Sequence, residues 1–218
     1  MRLYVDTIDR REAEEAIRSG LVYGITSNPF LFRSGLDKPL LRLVEELLPY
    51  VGNEFHVQVP GRSGEEYFRN GRRIFELDPK RIVVKIPTHR EGVEGMRLLK
   101  EVGVRVTATA VTTVHQAIAV ALLGVDYVAP FMARADESGY SGSELIRGIA
   151  EVYRVHGVKT LIIAASIRNP VQVVEAFRAG AHAVTVKYSL FHELAESPAS
   201  RRIIGQMNEI WSRTELGW

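Results

Sequence analysis

Lys85 is the residue whose surroundings most favour covalent chemistry. It ends the apolar run Ile82–Val84 and is followed by Ile86 and Pro87. Burying an ammonium group is costly, and loss of water lowers a lysine pKa until part of the amine is neutral. A neutral amine can attack a carbonyl carbon and form a Schiff base. Lys85 is therefore a candidate nucleophile; the alternative is a lysine whose stem is buried while its ammonium reaches solvent.

Polar side chains also follow other apolar runs. Asp6 follows Leu3–Val5, and Asn28 comes shortly after Leu21–Ile25. Close to a lysine imine, a carboxylate can transfer a proton and an amide can orient a substrate hydroxyl. If the apolar runs are the parallel strands of a barrel, their carboxyl ends meet at one end of that barrel. We then expect Asp6 and Asn28 to lie across the barrel from Lys85.

A second group of polar residues has the composition of an anion site. Arg134 follows the sixth apolar run, and Ser166 and Arg168 follow the seventh. Guanidinium groups bind phosphate through charge-assisted hydrogen bonds, to which a hydroxyl and backbone N–H groups add donors. We interpret these three residues as a phosphate clamp.

Metal and thiol chemistry find no support in the sequence. It contains no cysteine, which excludes disulfides, thiolate zinc sites and cysteine nucleophiles. The histidines form no close pair and no His-Glu-x-x-His motif. We expect most of them to lie on helices or at the surface; they are His56, His89, His115, His156, His182 and His192. The sequence predicts neither a bound metal nor a cofactor.

The apolar runs that carry these residues recur along the whole chain and alternate with amphipathic segments. The predicted strands are Leu3–Val5, Leu21–Ile25, Glu54–Val59, Arg81–Lys85, Val104–Thr109, Asp126–Pro130, Thr160–Ala164 and Ala183–Val186. Alternation of this kind predicts parallel βαβ units, and eight of them predict a (β/α)₈ TIM barrel forming a single domain over residues 1–218. The alternative is a doubly wound open sheet, which would place a glycine-rich loop after the first strand; none follows Val5.

The segments between the strands have helical spacing. Predicted helices cover Arg10–Ile17, Pro39–Leu48, Gly92–Val102, Thr113–Leu123 and Ser143–Val155, the last with a serine cap at its start. An additional C-terminal helix over residues 200–213 carries an apolar stripe of Ile203, Ile204, Met207, Ile210 and Trp211. This stripe packs either on its own barrel or on a neighbouring subunit.

Composition excludes two classes of partner. There are 28 Lys and Arg residues against 26 Asp and Glu, a net charge of +2, which provides no basic face for nucleic acid. The densest basic stretch, Arg69–Arg73, is interleaved with acids and fits a solvated helix face. The longest apolar stretch, Ala117–Val125, is too short to span a membrane, and the first residues lack a signal-peptide pattern. We expect a soluble, cytoplasmic protein.

Five motifs, taken in order, resemble the small transaldolase and fructose-6-phosphate aldolase family over essentially the whole chain. They are Leu3-Tyr4-Val5-Asp6-Thr7, Gly24-Ile25-Thr26-Ser27-Asn28-Pro29, Val83-Val84-Lys85-Ile86-Pro87, Tyr127-Val128-Ala129-Pro130-Phe131 and Ala164-Ala165-Ser166-Ile167-Arg168-Asn169-Pro170. Each is weak alone, and together on successive strands they are specific.

The resemblance implies a class I aldol enzyme that acts on sugar phosphates without a metal. Lys85 then matches the Schiff-base lysine, Asp6 the acid/base carboxylate, and Gln58 and Thr109 the positions that hold a catalytic water. The implied substrate-binding residues are Thr26, Asn28, Phe131, Arg134, Ser166 and Arg168. The C-terminal helix resembles one that small members exchange between subunits, which implies a homo-oligomer, a pentamer or a decamer.

Departures from the family pattern leave the activity within it open. Transaldolases usually carry Glu where this chain has Gln58 and Asn where it has Thr107, whereas the direct aldolases favour Gln and read Ala-Pro-Tyr in place of Ala129-Pro130-Phe131. Because Phe131 lacks a hydroxyl that would position water for product release, we favour transaldolase over direct fructose-6-phosphate aldolase. The remaining alternatives are a deoxyribose-phosphate-aldolase-like reaction and a non-catalytic barrel that acts as a binding module.

Lys187 stands where the family usually has proline. It follows the eighth predicted strand, close to the expected barrel mouth. Three interpretations are open: a solvated lysine that starts the last loop or pairs with Glu193, a phosphate contact, or a charge that lowers the pKa of Lys85 by repulsion.

Overall fold

Eight parallel strands close into a barrel in the computed structural model, which describes residues 1–32 and 38–215. In the described residues each strand pairs with its neighbours in sequence, and the last pairs with the first. The strands are β1 (Arg2–Asp6), β2 (Gly24–Thr26), β3 (Glu54–Gln58), β4 (Ile82–Pro87), β5 (Val106–Val111), β6 (Tyr127–Pro130), β7 (Leu161–Ala164) and β8 (Ala183–Lys187). The TIM-barrel prediction is confirmed, and the open doubly wound sheet is wrong.

Helices surround the barrel and connect its strands. They are α1 (Arg10–Arg18), α2 (Leu40–Leu47), α3 (Gly64–Phe75), α4 (Arg90–Glu101), α5 (Val114–Ala121), α6 (Met132–Glu137), α7 (Gly142–Val155), α8 (Pro170–Arg178), α9 (Tyr188–Glu193) and α10 (Pro198–Trp211). No bounds were predicted for α3, α6, α8 and α9. The cap of α7 is also corrected: Ser141, not Ser143, accepts a hydrogen bond from the Glu144 N–H.

Side chains alternate between the two faces of each strand, which separates an apolar shell from a polar interior. Residues such as Val5, Phe55 and Val84 point outward and are buried against the helices. The inward positions include Tyr4, His56, Lys85, Thr107 and Thr185, all at most 7% exposed. Branched aliphatic residues usually dominate the interior of such a barrel, so these polar positions are candidates for function.

The C-terminal helix α10 contributes nothing to the barrel core. None of its residues is buried, and its apolar stripe is about half exposed at Ile203, Ile204, Met207, Ile210 and Trp211. The helix is regular, with Ser197 as its cap. Among the described residues, no helix is long and apolar enough to cross a membrane.

Candidate active site

The carboxyl ends of the strands bring three of the predicted residues together. Asp6 ends β1, Asn28 follows β2, and Lys85 lies near the end of β4. The side-chain amide of Asn28 donates a hydrogen bond to Asp6 Oδ2. Asp6 and Lys85 interact electrostatically across the barrel. A carboxylate, an amide and an amine therefore share one polar site.

Lys85 is almost completely enclosed, with 3% of its surface exposed. Its Nζ donates to the backbone carbonyl of Ser27 at 3.1 Å. Burial lowers the pKa of Lys85, and the nearby Asp6 carboxylate opposes this shift. The alternative in which the ammonium reaches solvent is wrong, because the whole residue is buried.

Asp6 is held in place by a short chain of hydroxyl groups. Thr26 Oγ1 donates to Asp6 Oδ1 at 2.8 Å and lies 2.7 Å from Thr185 Oγ1. Because a hydroxyl has one proton, Thr185 must donate to Thr26. Thr26 is thus engaged with Asp6 and supports the carboxylate.

Desolvation raises the pKa of Asp6, although Lys85 and the hydrogen bonds from Thr26 and Asn28 act in the opposite direction. A carboxylate with a raised pKa accepts a substrate proton more readily than an exposed one. Asp6 therefore combines a fixed orientation with the basicity that proton transfer needs.

Thr109 and Gln58 flank Lys85 on the neighbouring strands. Gln58 is the register partner of Lys85, and Thr109 lies two residues beyond its other partner, Thr107. Thr109 Oγ1 is buried and has no hydrogen-bond partner among the described residues. A buried hydroxyl without a partner is costly, so this oxygen is available to a water or a substrate group.

The backbone after Thr109 is irregular. Ala110 has a φ of 58°, and the pairing of β5 with β6 shifts register between Thr109 and Val111. Such bulges redirect side chains next to active sites. Phe131 follows β6 and is partly exposed; its N–H donates to the Val111 carbonyl at 2.8 Å.

The two arginines of the predicted phosphate clamp converge on one carboxylate. Arg134 Nη1 donates to Glu137 Oε2 at 2.7 Å, and Arg168 Nη2 donates to Glu137 Oε1. These hydrogen bonds lower the pKa of Glu137. Ser166 precedes Arg168 by two residues and has a left-handed φ of 59°. Two guanidinium groups that already share an oxyanion have the spacing to share another.

A polar cluster missed in the sequence lies deeper in the barrel. Glu54 accepts hydrogen bonds from Tyr4, at 2.6 Å, and Tyr127, at 2.9 Å to each oxygen, and from Arg105 at 2.9 Å. His56 is completely buried, and is thus an exception to the expectation that most histidines lie on helices or at the surface. Its Nε2 lies 3.2 Å from Glu54 Oε2. The period-two spacing of Glu54, His56 and Gln58 on one strand was the available signal.

Lys187 ends β8 beside Asp6, which is its register partner. Its side chain is exposed, and within the described residues it forms no ion pair, with Glu193 or any other carboxylate. Its charge lowers the pKa of Asp6. The charge that acts on Lys85 is that of Asp6, so the direct repulsion of Lys85 has no support.

No group of three or more metal-ligating side chains converges in the part of the chain that the structure describes. An enclosed amine beside a carboxylate can perform amine-based carbon–carbon bond chemistry, and a pair of arginines can bind an anion. The family model described as Transaldolase/Fructose-6-phosphate aldolase matches residues 3–215. The chain belongs to this transaldolase/aldolase family. It is accordingly an enzyme of the transaldolase/aldolase type.

Curated relatives cover almost the full length of the chain. A probable transaldolase of Geobacillus sp. (strain WCH70) is 32% identical over 213 residues, 98% of this chain and 99% of the relative. Probable transaldolase 1 of Listeria monocytogenes serotype 4b is 34% identical over 212 residues, 97% and 98% of the two chains. A probable transaldolase of Symbiobacterium thermophilum is also 34% identical over 212 residues, 97% of each chain.

Proposed function

We propose that this enzyme is a class I transaldolase, which transfers a dihydroxyacetone unit from a ketose phosphate to an aldose phosphate through an imine on Lys85. The observation that carries the proposal is an enclosed lysine, 3% exposed, whose pKa is lowered by burial and which faces the Asp6 carboxylate across the barrel. The names of the relatives support the same assignment.

The first half of the reaction uses Lys85 as nucleophile and Asp6 as base. The Lys85 amine adds to the C2 carbonyl of the ketose, and loss of water gives the iminium. Asp6 takes the proton of the C4 hydroxyl while the C3–C4 bond breaks, and that electron pair passes into the iminium to form an enamine. The first aldose phosphate leaves, and Asn28, bonded to Asp6, is placed to orient a substrate hydroxyl.

The second half reverses these steps on a new aldehyde. The enamine carbon attacks the acceptor carbonyl, the Asp6 proton passes to the new alkoxide, and water hydrolyses the iminium to release the new ketose and free Lys85. We assign the water to Gln58 and to the Thr109 hydroxyl, which has no hydrogen-bond partner among the described residues. Arg134, Arg168 and Ser166 bind the substrate phosphate in place of the Glu137 carboxylate.

Transfer, rather than release, is favoured by Phe131. A direct aldolase must protonate the enamine carbon before dihydroxyacetone can leave, and this needs a proton donor beside it. Direct aldolases of this family carry a tyrosine where this chain has Phe131, whose side chain has no hydroxyl. The second candidate function is direct cleavage of fructose 6-phosphate. Gln58 supports it, because the direct aldolases of the family favour glutamine at this position.

Product analysis with fructose 6-phosphate distinguishes these two functions. The purified chain is incubated with this donor, with and without an aldose phosphate acceptor, and free dihydroxyacetone is measured. A transaldolase forms a new ketose phosphate only with the acceptor and releases little dihydroxyacetone. Stoichiometric dihydroxyacetone without an acceptor would assign the protein as a direct aldolase instead.

We also propose that α10 packs on a neighbouring copy of the chain in a homo-oligomer. Its apolar stripe remains about half exposed in the single chain, and none of its residues is buried there. Replacing Ile204 and Met207 together by Asp should dissociate the oligomer in light scattering, whereas replacing the exposed Arg202 of the same helix by Asp should not. A monomer for the unchanged protein would contradict this packing.

A further inference from the structure

The imidazole of His56 occupies the centre of the polar barrel interior and is not used in the reaction proposed above. Its ring is fully buried between two phenols, with ring centroids 4.9 Å from Tyr4 and 4.8 Å from Tyr127 in edge-to-face contacts. Both ring nitrogens have polar neighbours. A histidine in this position has one orientation and two defined hydrogen bonds.

The Glu54 carboxylate determines which nitrogen of His56 carries the proton. Burial would raise the pKa of Glu54, but the hydrogen bonds from His56, Tyr4 and Tyr127 bring it down to about 2, so Glu54 is an anion. An ionised carboxylate only accepts hydrogen bonds, so the His56 Nε2, at 3.2 Å, carries a proton and donates. This assignment follows from the hydrogen-bond network.

The other nitrogen of His56 then acts on Thr107. Desolvation lowers the pKa of His56, with Glu54 opposing this and the charges of Lys85 and Arg105 adding to it, so the imidazole is neutral. With its proton on Nε2, the neutral ring has only a lone pair at Nδ1, which lies 2.7 Å from Thr107 Oγ1. The Thr107 hydroxyl must therefore donate its proton to His56, and its oxygen keeps lone pairs for other partners.

Thr107 is the neighbour of the candidate nucleophile. It is the register partner of Lys85 on β5, both side chains point into the barrel, and Thr107 is 1% exposed. On the other side of Lys85 the register partner is Gln58. An oxygen at Thr107 with its proton committed elsewhere presents an acceptor to N–H or O–H groups formed at Lys85.

We propose that His56 is a positioning residue for the Lys85 chemistry, which acts by fixing the hydroxyl of Thr107, the register partner of Lys85, as a hydrogen-bond acceptor. The proposal rests on the imine function of Lys85. Glu54 orients His56, and His56 orients Thr107. In the free chain Lys85 Nζ donates to the Ser27 carbonyl, and the Thr107 oxygen accepts a hydrogen bond from the carbinolamine hydroxyl once the amine has added to the substrate. The hydroxyl never donates to the amine lone pair, which remains available to attack the carbonyl carbon.

Two substitutions of the same size separate this role from simple packing. Asn and Leu have nearly the same shape, and both lose the hydrogen bond to Glu54. The carboxamide oxygen of Asn can take the place of Nδ1 and accept from Thr107, whereas Leu cannot. His56→Asn and His56→Leu therefore differ in the Thr107 contact, and any shared loss of stability cancels in the comparison.

The experiment measures the rate at which borohydride traps saturating dihydroxyacetone on the full-length chain, for His56→Leu, His56→Asn, Thr107→Val and the double variant His56→Leu/Thr107→Val. We expect His56→Leu and Thr107→Val each to slow trapping about tenfold, and His56→Asn to stay within about twofold of the wild type. In the Thr107→Val background, His56→Leu should change the rate by less than about twofold. Thermal melts establish that each variant is folded.

Independent effects of the two substitutions, or equal losses for His56→Asn and His56→Leu, would overturn the proposal. If His56→Leu does not fold, Thr107→Val carries the test, since it leaves His56 paired with Glu54; trapping at the wild-type rate in this variant would equally overturn it. A wild-type chain that is never trapped would instead overturn the proposed function, together with this inference. The wild-type reaction thus distinguishes the two failures.

Discussion

The Asp6 carboxyl and the Lys85 amine each offset part of the desolvation of the other across the barrel mouth. Burial raises the pKa of Asp6 and lowers that of Lys85, and in both cases the partner's charge acts in the opposite direction. The pair is thus kept closer to its ionised form than either group alone would be. A change at one residue must therefore appear in the titration of the other.

Replacing Asp6 by Asn separates imine formation from bond cleavage. The variant removes the attraction that favours the Lys85 ammonium, so the pKa of Lys85 falls further. The acid limb of the pH profile for imine trapping with dihydroxyacetone should therefore move to lower pH. Turnover of a ketose phosphate should fall at least about 100-fold, because no base remains for the C4 hydroxyl. A shift of this pH profile to higher pH would contradict the electrostatic interaction between Asp6 and Lys85.

Replacing Lys187 by Met tests its action on Asp6. The Lys187 charge lowers the pKa of Asp6, so its loss should raise that pKa and move the acid limb of kcat/KM to higher pH. Lys187→Arg, which keeps the charge, is the matched control and should leave the limb in place. An unchanged limb with a raised KM for phosphorylated donors alone would identify Lys187 as a phosphate contact instead.

Glu137 should compete with the substrate phosphate for Arg134 and Arg168. Glu137→Gln removes the competing charge at an exposed site, so KM for a phosphorylated donor should fall about two- to fivefold. KM for free dihydroxyacetone should not change, and Arg168→Ala should raise KM for the phosphorylated donor. A higher KM in Glu137→Gln would mean that Glu137 instead holds the arginines in their binding orientation.

Glu54 should make the folded state sensitive to acid. Its pKa is lowered from 4.5 to about 2, so between these values the unfolded chain binds the proton that the folded chain does not. The stabilisation is complete above pH 4.5 and is lost as the pH falls towards 2.

Denaturant titrations of the wild type and Glu54→Gln at several pH values measure this contribution. The Gln variant is less stable near neutrality, and it should show a smaller loss of unfolding free energy between pH 4.5 and 2.5. Parallel losses in the two proteins would assign the acid sensitivity to other carboxylates.

The position of the site was predictable because a parallel barrel leaves little freedom at its strand ends. Asp6 and Lys85 stood out as polar residues that end apolar runs, the family resemblance implied the same two residues, and closure of the barrel brings them together. The bounds of β2 were less accurate. The run Leu21–Ile25 indicated a strand, but Leu21 is 59% exposed and β2 begins at Gly24.

Contacts between side chains could not be predicted from the spacing of residues. Glu137 accepts a hydrogen bond from Arg134 of the same helix and another from Arg168, which is distant in the chain. The order of residues does not indicate that one carboxylate binds both arginines. His56 was judged by metal-ligand spacing, whereas its role depends on Thr107, which is 51 positions away. Only the strand register brings these residues within hydrogen-bond distance.

Borohydride trapping of the intact chain with dihydroxyacetone, followed by mass analysis of the peptides, tests the central claim most directly. The account predicts a single reduced adduct on Lys85, and neither an adduct nor turnover in Lys85→Ala. An adduct on Lys187, or undiminished turnover in Lys85→Ala, would contradict it.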